Sequence, residues 1–326
     1  MPIINSHFKT SCLFKNKHLN TVYRTLFTRP KVLYTRQRIS IDGPDFIDLD
    51  VSSVSSKKVA VLIHGLEGSS QSKYILACAR NFNNHGIDVI VFNLRGCSGQ
   101  PNMRFESYHS GETKDLDFII RYVLQNYNYT AIALVGFSLG GNMLLKYLGE
   151  QRSNALPLLK CAIAVSPPVD LRGSSVELAK KHNVLYMNRF LKTLVKKALE
   201  KSTKYPERNL NQETIQRAQN FYDFDSCFTA PSFGFQSAED YWEKASALKW
   251  LSSIQLPTYF ITAKDDPFLS DSCYPVAIAK DNPFLFLEVT EKGGHIGFIQ
   301  NFHKRDWLEK KMTNFLSKWW EPSKKN

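Results

Sequence analysis

Six short runs, rich in Val, Ile, Leu and Phe and apolar at consecutive positions, constrain this chain most: VAVLIHG (59–65), DVIVFNLRG (88–96), AIALVGF (131–137), CAIAVS (161–166), TYFITA (258–263) and FLFLEVT (284–290). A strand with apolar residues at successive positions must be buried on both faces, which calls for a sheet layered between helices. Helical patterns separate several of the runs. Glu112–Gln125 carries Leu116, Ile119, Ile120 and Val123 on one stripe, Asn142–Gly149 follows the third run, and Arg305–Trp320 closes the chain. The fold class is therefore α/β, with a mostly parallel sheet flanked by helices. Ahead of these runs, Val32–Ile41 and Phe46–Val51 flank Asp42-Gly43-Pro44 and are expected to pair as antiparallel strands. Between the fourth and fifth runs, roughly ninety residues carry helical patterns and aromatic, Pro-punctuated stretches such as FDSCFTAPSFGF (224–235). An insertion of that size in a regular alternation reads as a helical cap. The expected organisation is one domain over residues 1–326, with its core at about 30–168 and 251–322 and the cap at about 169–250.

The third run leads directly into Gly136-Phe137-Ser138-Leu139-Gly140 and then a helix. A serine on a strand-to-helix turn, with a glycine two residues to either side where larger side chains would clash, is the signature of an exposed nucleophile. A serine hydroxyl needs a base to take its proton and a carboxylate to orient that base, and in sheets of this kind the acid precedes the base along the chain. TYFITA is followed by Lys264-Asp265-Asp266-Pro267, and FLFLEVT by Glu291-Lys292-Gly293-Gly294-His295. Both loops lie at carboxyl ends of strands, where α/β sheets bind ligands. His295 is the expected base and Asp266 the expected acid, with Asp265 as the alternative one position away. Two backbone amides are the candidates to hold a developing oxyanion: Leu139 at the start of the helix, and Leu66 in the turn His64-Gly65-Leu66-Glu67-Gly68. The glycines of Asn93–Gly99 fit no phosphate-binding motif and are assigned to a turn at the pocket mouth.

Composition excludes several other classes. With 43% hydrophobic and 22% charged residues in 326, the chain has enough apolar material for a full core. It contains no run long enough to span a bilayer, and its first twenty residues lack the unbroken apolar stretch of a signal peptide. A cytoplasmic location is the expectation. The six cysteines are widely spaced and expected to be free thiols, and neither the eight histidines nor the triplet Asp45, Asp48, Asp50 matches a metal site. No metal and no cofactor is expected. The net charge of +12 is concentrated partly in Val176–Arg217, which holds ten Lys or Arg against four Glu. Without a nucleic-acid-binding module these read as solvated helix faces, so no nucleic-acid partner is expected, while peripheral contact with anionic lipid stays open.

Beyond the three candidate catalytic residues, the segments HGLEGSS, FNLRGCSG, GFSLGGNMLLKYLGE, DDPF and GGHIGF resemble the YheT-like branch of the α/β hydrolases, as do KHLNTVY (17–23), FDSCFTAP and DYWEKAS. The likeness runs from about residue 14 to 320. It implies an α/β-hydrolase fold and a serine carboxylic-ester hydrolase with Ser138 as nucleophile, Asp266 as acid and His295 as base. The lack of a membrane anchor favours a small acyl ester of short or medium chain over a membrane phospholipid. Acyl transfer or thioester cleavage on the same triad, and a non-catalytic basic binding protein of the same fold, remain alternatives.

Overall fold

The computed structural model describes residues 2–151 and 156–320. Its strands are β1 (Ile3–Ile4), β2 (Thr35–Ile41), β3 (Asp45–Ser52), β4 (Lys58–Ile63), β5 (Asp88–Asn93), β6 (Ala131–Phe137), β7 (Leu159–Val165), β8 (Thr258–Ala263) and β9 (Leu285–Thr290). They form one sheet of order β1-β9-β8-β7-β6-β4-β5-β3-β2, parallel throughout except where β3 runs antiparallel to both β2 and β5. All six apolar runs are strands of its central and β9-side parts. Their alternate residues feed two different cores: Val59, Val61, Ile63 and Leu134 face one layer, Ala60, Leu62, Ala133 and Val135 the other. Burial on both faces is the physical reason these strands read as continuous apolar runs.

Two differences from expectation bear on the site. The helix after β6 spans Leu139–Gln151, starting three residues earlier than its apolar pattern suggests, so Ser138 directly abuts its amino end. At the amino-terminal side, β1 pairs with β9, and a helix over Lys17–Phe27 packs beneath the loop after β9. Neither element was expected. A two-residue strand shows no periodicity, and the helix buries Asn20, Tyr23 and Arg24, so a polar inner face hides it from a hydrophobic pattern.

Between β7 and β8 the chain forms Leu171–Leu178, the long helix Val184–Lys204, four short helical segments from Gln212 to Phe233 and the helix Ala238–Ala245. This insertion has its own apolar cluster, including Met187, Leu191, Ile215, Phe224 and Phe228, closed by Phe105 and Phe268 from the sheet-bearing part. Among the described residues no helix is long and apolar enough to cross a membrane.

Candidate active site

Ser138 lies between β6 and its helix with φ +52°, a left-handed conformation that costs a non-glycine residue about 1–3 kcal/mol. The turn is held by close approach on both sides. A Cβ on Gly136 would fall 2.4 Å from the Gly140 carbonyl oxygen, and one on Gly140 would fall 2.5 Å from that of Ile63. Neither position admits a side chain, because these neighbours are backbone that cannot swing aside.

The loops after β8 and β9 bring the expected acid and base to this serine. His295 Nε2 is 2.9 Å from Ser138 Oγ, and His295 Nδ1 is 2.8 Å from Asp266 Oδ2. A carboxylate only accepts, so Nδ1 carries the imidazole proton and leaves the Nε2 lone pair for the serine hydroxyl. Asp266 is 4% exposed, and its Oδ1 accepts the Phe268 N–H at 2.9 Å, which fixes the carboxylate plane. Asp265 is directed elsewhere. Its Oδ1 accepts the Gly294 N–H at 3.0 Å, and burial raises its pKa. It therefore pins the loop that carries His295 rather than touching the imidazole.

Leu66 and Leu139 both line the cavity beside Ser138, and among the described residues neither backbone N–H has a hydrogen-bond partner. Flanking amides are occupied: Gly65 N–H donates to Tyr74 Oη at 2.8 Å, and Glu67 N–H to Tyr108 Oη at 3.0 Å. Tyr108 Oη in turn donates to Glu67 Oε1 at 2.7 Å, and Lys197 from the long helix of the insertion pairs with Glu67 Oε2 at 2.7 Å. This closed ring braces Glu67, whose φ is +53°, and engages neither the Leu66 nor the Leu139 amide. His64 serves the same turn from below. It is fully buried, accepts the Leu94 N–H on Nε2 and donates from Nδ1 to the Gly65 carbonyl, and burial holds its pKa down to about 4, so it is a neutral structural group.

Above the serine is a cavity of ≈ 460 Å³ whose exposed wall is mostly apolar, within the usual size of small-molecule sites. Of the insertion's aromatic residues, Phe190, Phe221 and Phe233 line it. Tyr186 instead packs on Phe268 and His18, Phe235 on His109 and Tyr241, and Tyr222 is half exposed. Phe224 and Phe228 from the stretch FDSCFTAPSFGF, with Trp242, add to the wall, and Arg95, Gly96 and Gly99 place the Asn93–Gly99 turn at its edge. The triplet Asp45, Asp48, Asp50 is taken up by Arg95, Arg38 and Arg36 respectively.

Asp225 is a buried acid of this wall. It opens a π-helical turn, accepts from Thr229 Oγ1 at 2.6 Å and from Trp242 Nε1 at 2.8 Å, and burial pushes its pKa up to about 6. A raised carboxyl pKa means the folded state holds a proton that the unfolded chain has lost between pH 3.8 and about 6. Stability therefore falls as pH rises through that window and is flat above it. In Asp225→Asn this dependence is absent, so thermal unfolding across pH 4–8 is expected to show the wild type losing up to about 3 kcal/mol relative to the variant between pH 4 and 6. A constant difference over the whole range would contradict a buried, titrating Asp225.

A profile of the α/β hydrolase fold matches residues 59–302. The Escherichia coli (strain K12) protein YheT, whose name carries a provisional esterase assignment, is 34% identical over 94% of this chain and 92% of its own length. The chain belongs to the YheT-like α/β hydrolases. Human phospholipase ABHD3 is 31% identical to this hydrolase over 87% of the chain and 72% of ABHD3. In fold, the Pyrococcus furiosus esterase Pf2001 superposes with a TM-score of 0.60 at 19% identity, covering 90% of this hydrolase and 96% of the esterase.

Proposed function

We propose that this hydrolase cleaves carboxylic esters of short- to medium-chain acyl groups through an acyl-enzyme on Ser138. The observation that carries the reading is the hydrogen-bonded chain Ser138–His295–Asp266 at the floor of an apolar cavity. Support also comes from relatives named as lipid esterases and lipases, among them a yeast monoacylglycerol lipase 27% identical over 86% of the chain. In this reading residues 1–326 form one domain, with about 169–250 as a cap over the site.

Ser138 Oγ attacks the ester carbonyl carbon as its proton passes to His295 Nε2, and Asp266 stabilises the resulting imidazolium. The carbonyl oxygen takes the displaced electron pair as an oxyanion, toward which the Leu66 and Leu139 amides donate; Leu139, at the amino end of its helix, adds the positive end of the helix dipole. As the tetrahedral intermediate collapses, the bond to the leaving alcohol breaks and His295 returns the proton to the departing oxygen. Water, deprotonated by the same imidazole, then attacks the acyl carbon, and as the bond to Ser138 Oγ breaks His295 returns the proton to that oxygen and the acid leaves. These steps need no cofactor.

The test is a p-nitrophenyl ester series from acetate to decanoate, run beside labelling by a fluorophosphonate. Covalent labelling at Ser138 is expected, with kcat/KM rising about three- to fourfold per added methylene until the apolar wall is filled. Absence of both hydrolysis and labelling would overturn the reading. Labelling with negligible hydrolysis, restored by an alcohol or thiol acceptor, would shift it to acyl transfer.

A further inference from the structure

The chain's excess of positive charge divides into paired and unpaired groups. In the insertion, Lys180, Lys196, Lys197, Arg208 and Arg217 each pair with a Glu and Lys201 is buried against the Asn102 and Arg104 carbonyls, while the exposed Lys181, Arg189, Lys192 and Lys204 are in no salt bridge among the described residues but are interspersed with Glu. The amino-terminal face differs. Residues 1–41 contain no Asp or Glu at all. Lys15, Arg29, Lys31 and Lys304 are exposed and Arg305 partly so, and among the described residues none of the five is in a salt bridge.

Large apolar side chains project from the same face. Leu26 is 53% exposed, Phe27 59% and Phe302 49%. The two rings are joined through the core: Phe27 and Phe302 lie 5.1 and 6.0 Å from the Tyr23 ring, and Phe302 is 5.2 Å from Phe14, so the exposed rings rest on buried ones. The cations rim them. Arg305 lies over the Tyr23 ring at 5.4 Å, and Arg29 folds back to the Leu26 carbonyl at 3.1 Å. Phe302 is held outward by a closed turn, in which the Gln300 N–H donates to the Lys304 carbonyl at 3.1 Å and Asn301 Oδ1 accepts the His303 and Lys304 amides at 2.9 Å each.

We infer that this face, formed by the end of the Lys17–Phe27 helix and the 301–305 turn, is a docking surface for an anionic lipid bilayer. Exposed aromatic and aliphatic groups ringed by unpaired Lys and Arg suit the headgroup boundary, where the rings enter the acyl region and the cations meet phosphates. Nucleic acid would be met by the cations and would stack bases on the exposed rings, but would leave the aliphatic Leu26 without an apolar partner. The helix that carries the patch also contacts the site: Thr21 Oγ1 accepts the His295 N–H at 2.9 Å. Docking therefore brings the hydrolase to a surface where acyl esters are concentrated, while the inference itself does not depend on the catalytic reading.

Co-sedimentation of the full chain with vesicles of phosphatidylcholine, alone or mixed with phosphatidylglycerol, tests it. Partition is expected only onto the mixed vesicles and to weaken with salt. Phe27→Ser/Phe302→Ser should lower it at least tenfold. Lys15→Gln, Arg29→Gln and Lys304→Gln should each lower it about fivefold. Unchanged thermal midpoints establish that the variants fold, and Leu185→Ser, at an 80% exposed position on the insertion, is expected to bind as the wild type. The inference is overturned by no partition, by equal partition onto neutral vesicles, or by loss in Leu185→Ser alone. Retention of binding by Phe27→Ser/Phe302→Ser together with tight binding of RNA would also overturn it.

Discussion

Asp266→Asn is expected to lower kcat by about four orders of magnitude, while Asp265→Asn stays within about tenfold of wild type. The difference comes from donor and acceptor roles. Asp266 uses both oxygens as acceptors, from His295 Nδ1–H and from the Phe268 N–H. An Asn offers one acceptor and one NH2. With NH2 toward His295, the imidazole must present an unprotonated Nδ1, which puts the proton on Nε2, where it can no longer accept from Ser138. With NH2 toward Phe268, two donors meet in a buried place, at a cost of roughly 1–3 kcal/mol. Asp265 makes a single bond that matters here, from the Gly294 N–H to Oδ1, and the carbonyl of an Asn accepts it equally well. Steady-state kinetics on a p-nitrophenyl ester check both variants at once. A severe loss in Asp265→Asn with a mild one in Asp266→Asn would reassign the acid. Equal severe losses with lowered thermal midpoints would instead mean that both act through the fold of the loop.

The legible and hidden parts of this site separate along a physical line. Ser138, Asp266 and His295 lie directly after strands whose two-sided burial makes them continuous apolar runs, so the strand ends, and hence the loops, could be located to within a residue or two. Gly136 and Gly140 were legible for a similar reason, since a close backbone approach admits no other residue. The choice between Asp265 and Asp266 was left open because side-chain direction at the end of a strand reverses at each residue, and only the turn geometry sets it. Tyr108, Lys197 and Asn20 were invisible as parts of the site. Each acts across a long sequence separation, Tyr108 on Glu67, Lys197 on the same carboxylate, Asn20 on Ile299, and polar residues carry no periodic signal that announces a distant partner. Asp225 had a weaker mark: an acid inside the aromatic stretch FDSCFTAPSFGF, where a buried charge needs a reason.

Arg24→Met is expected to destabilise the protein by about 3–5 kcal/mol, lowering the thermal midpoint by about 4–8 °C, and to reduce kcat more than it changes KM. Arg24 and Glu309 are 5% and 4% exposed and share two hydrogen bonds, one of them Nη2 to Oε2 at 3.0 Å. Removing the guanidinium strands a carboxylate in a buried setting, which costs more than the pair contributes when intact. Arg24→Met/Glu309→Leu, which removes both charges, should recover most of the midpoint; a double variant no better than the single would show that the loss comes from packing. The kinetic part follows from what else Arg24 holds. Its Nε donates to the Gly297 carbonyl at 2.9 Å, in a segment where Ile296 and Phe298 adopt φ +59° and +49°, conformations costing non-glycine residues about 1–3 kcal/mol each. Such backbone persists only where its surroundings over-determine it. Here Arg24 acts with Asn20, which accepts the Ile299 N–H at 3.0 Å, Thr21, which accepts the His295 N–H, and Ser166, whose Oγ accepts the Ile296 N–H at 3.2 Å. Arg24 is thus expected to act as a positioning residue for His295: once this bracing loosens, the imidazole spends less time within 2.9 Å of Ser138, while the apolar cavity above the serine is unchanged. A fall in KM affinity with kcat preserved would place the Lys17–Phe27 helix outside the catalytic geometry and leave it a purely structural brace.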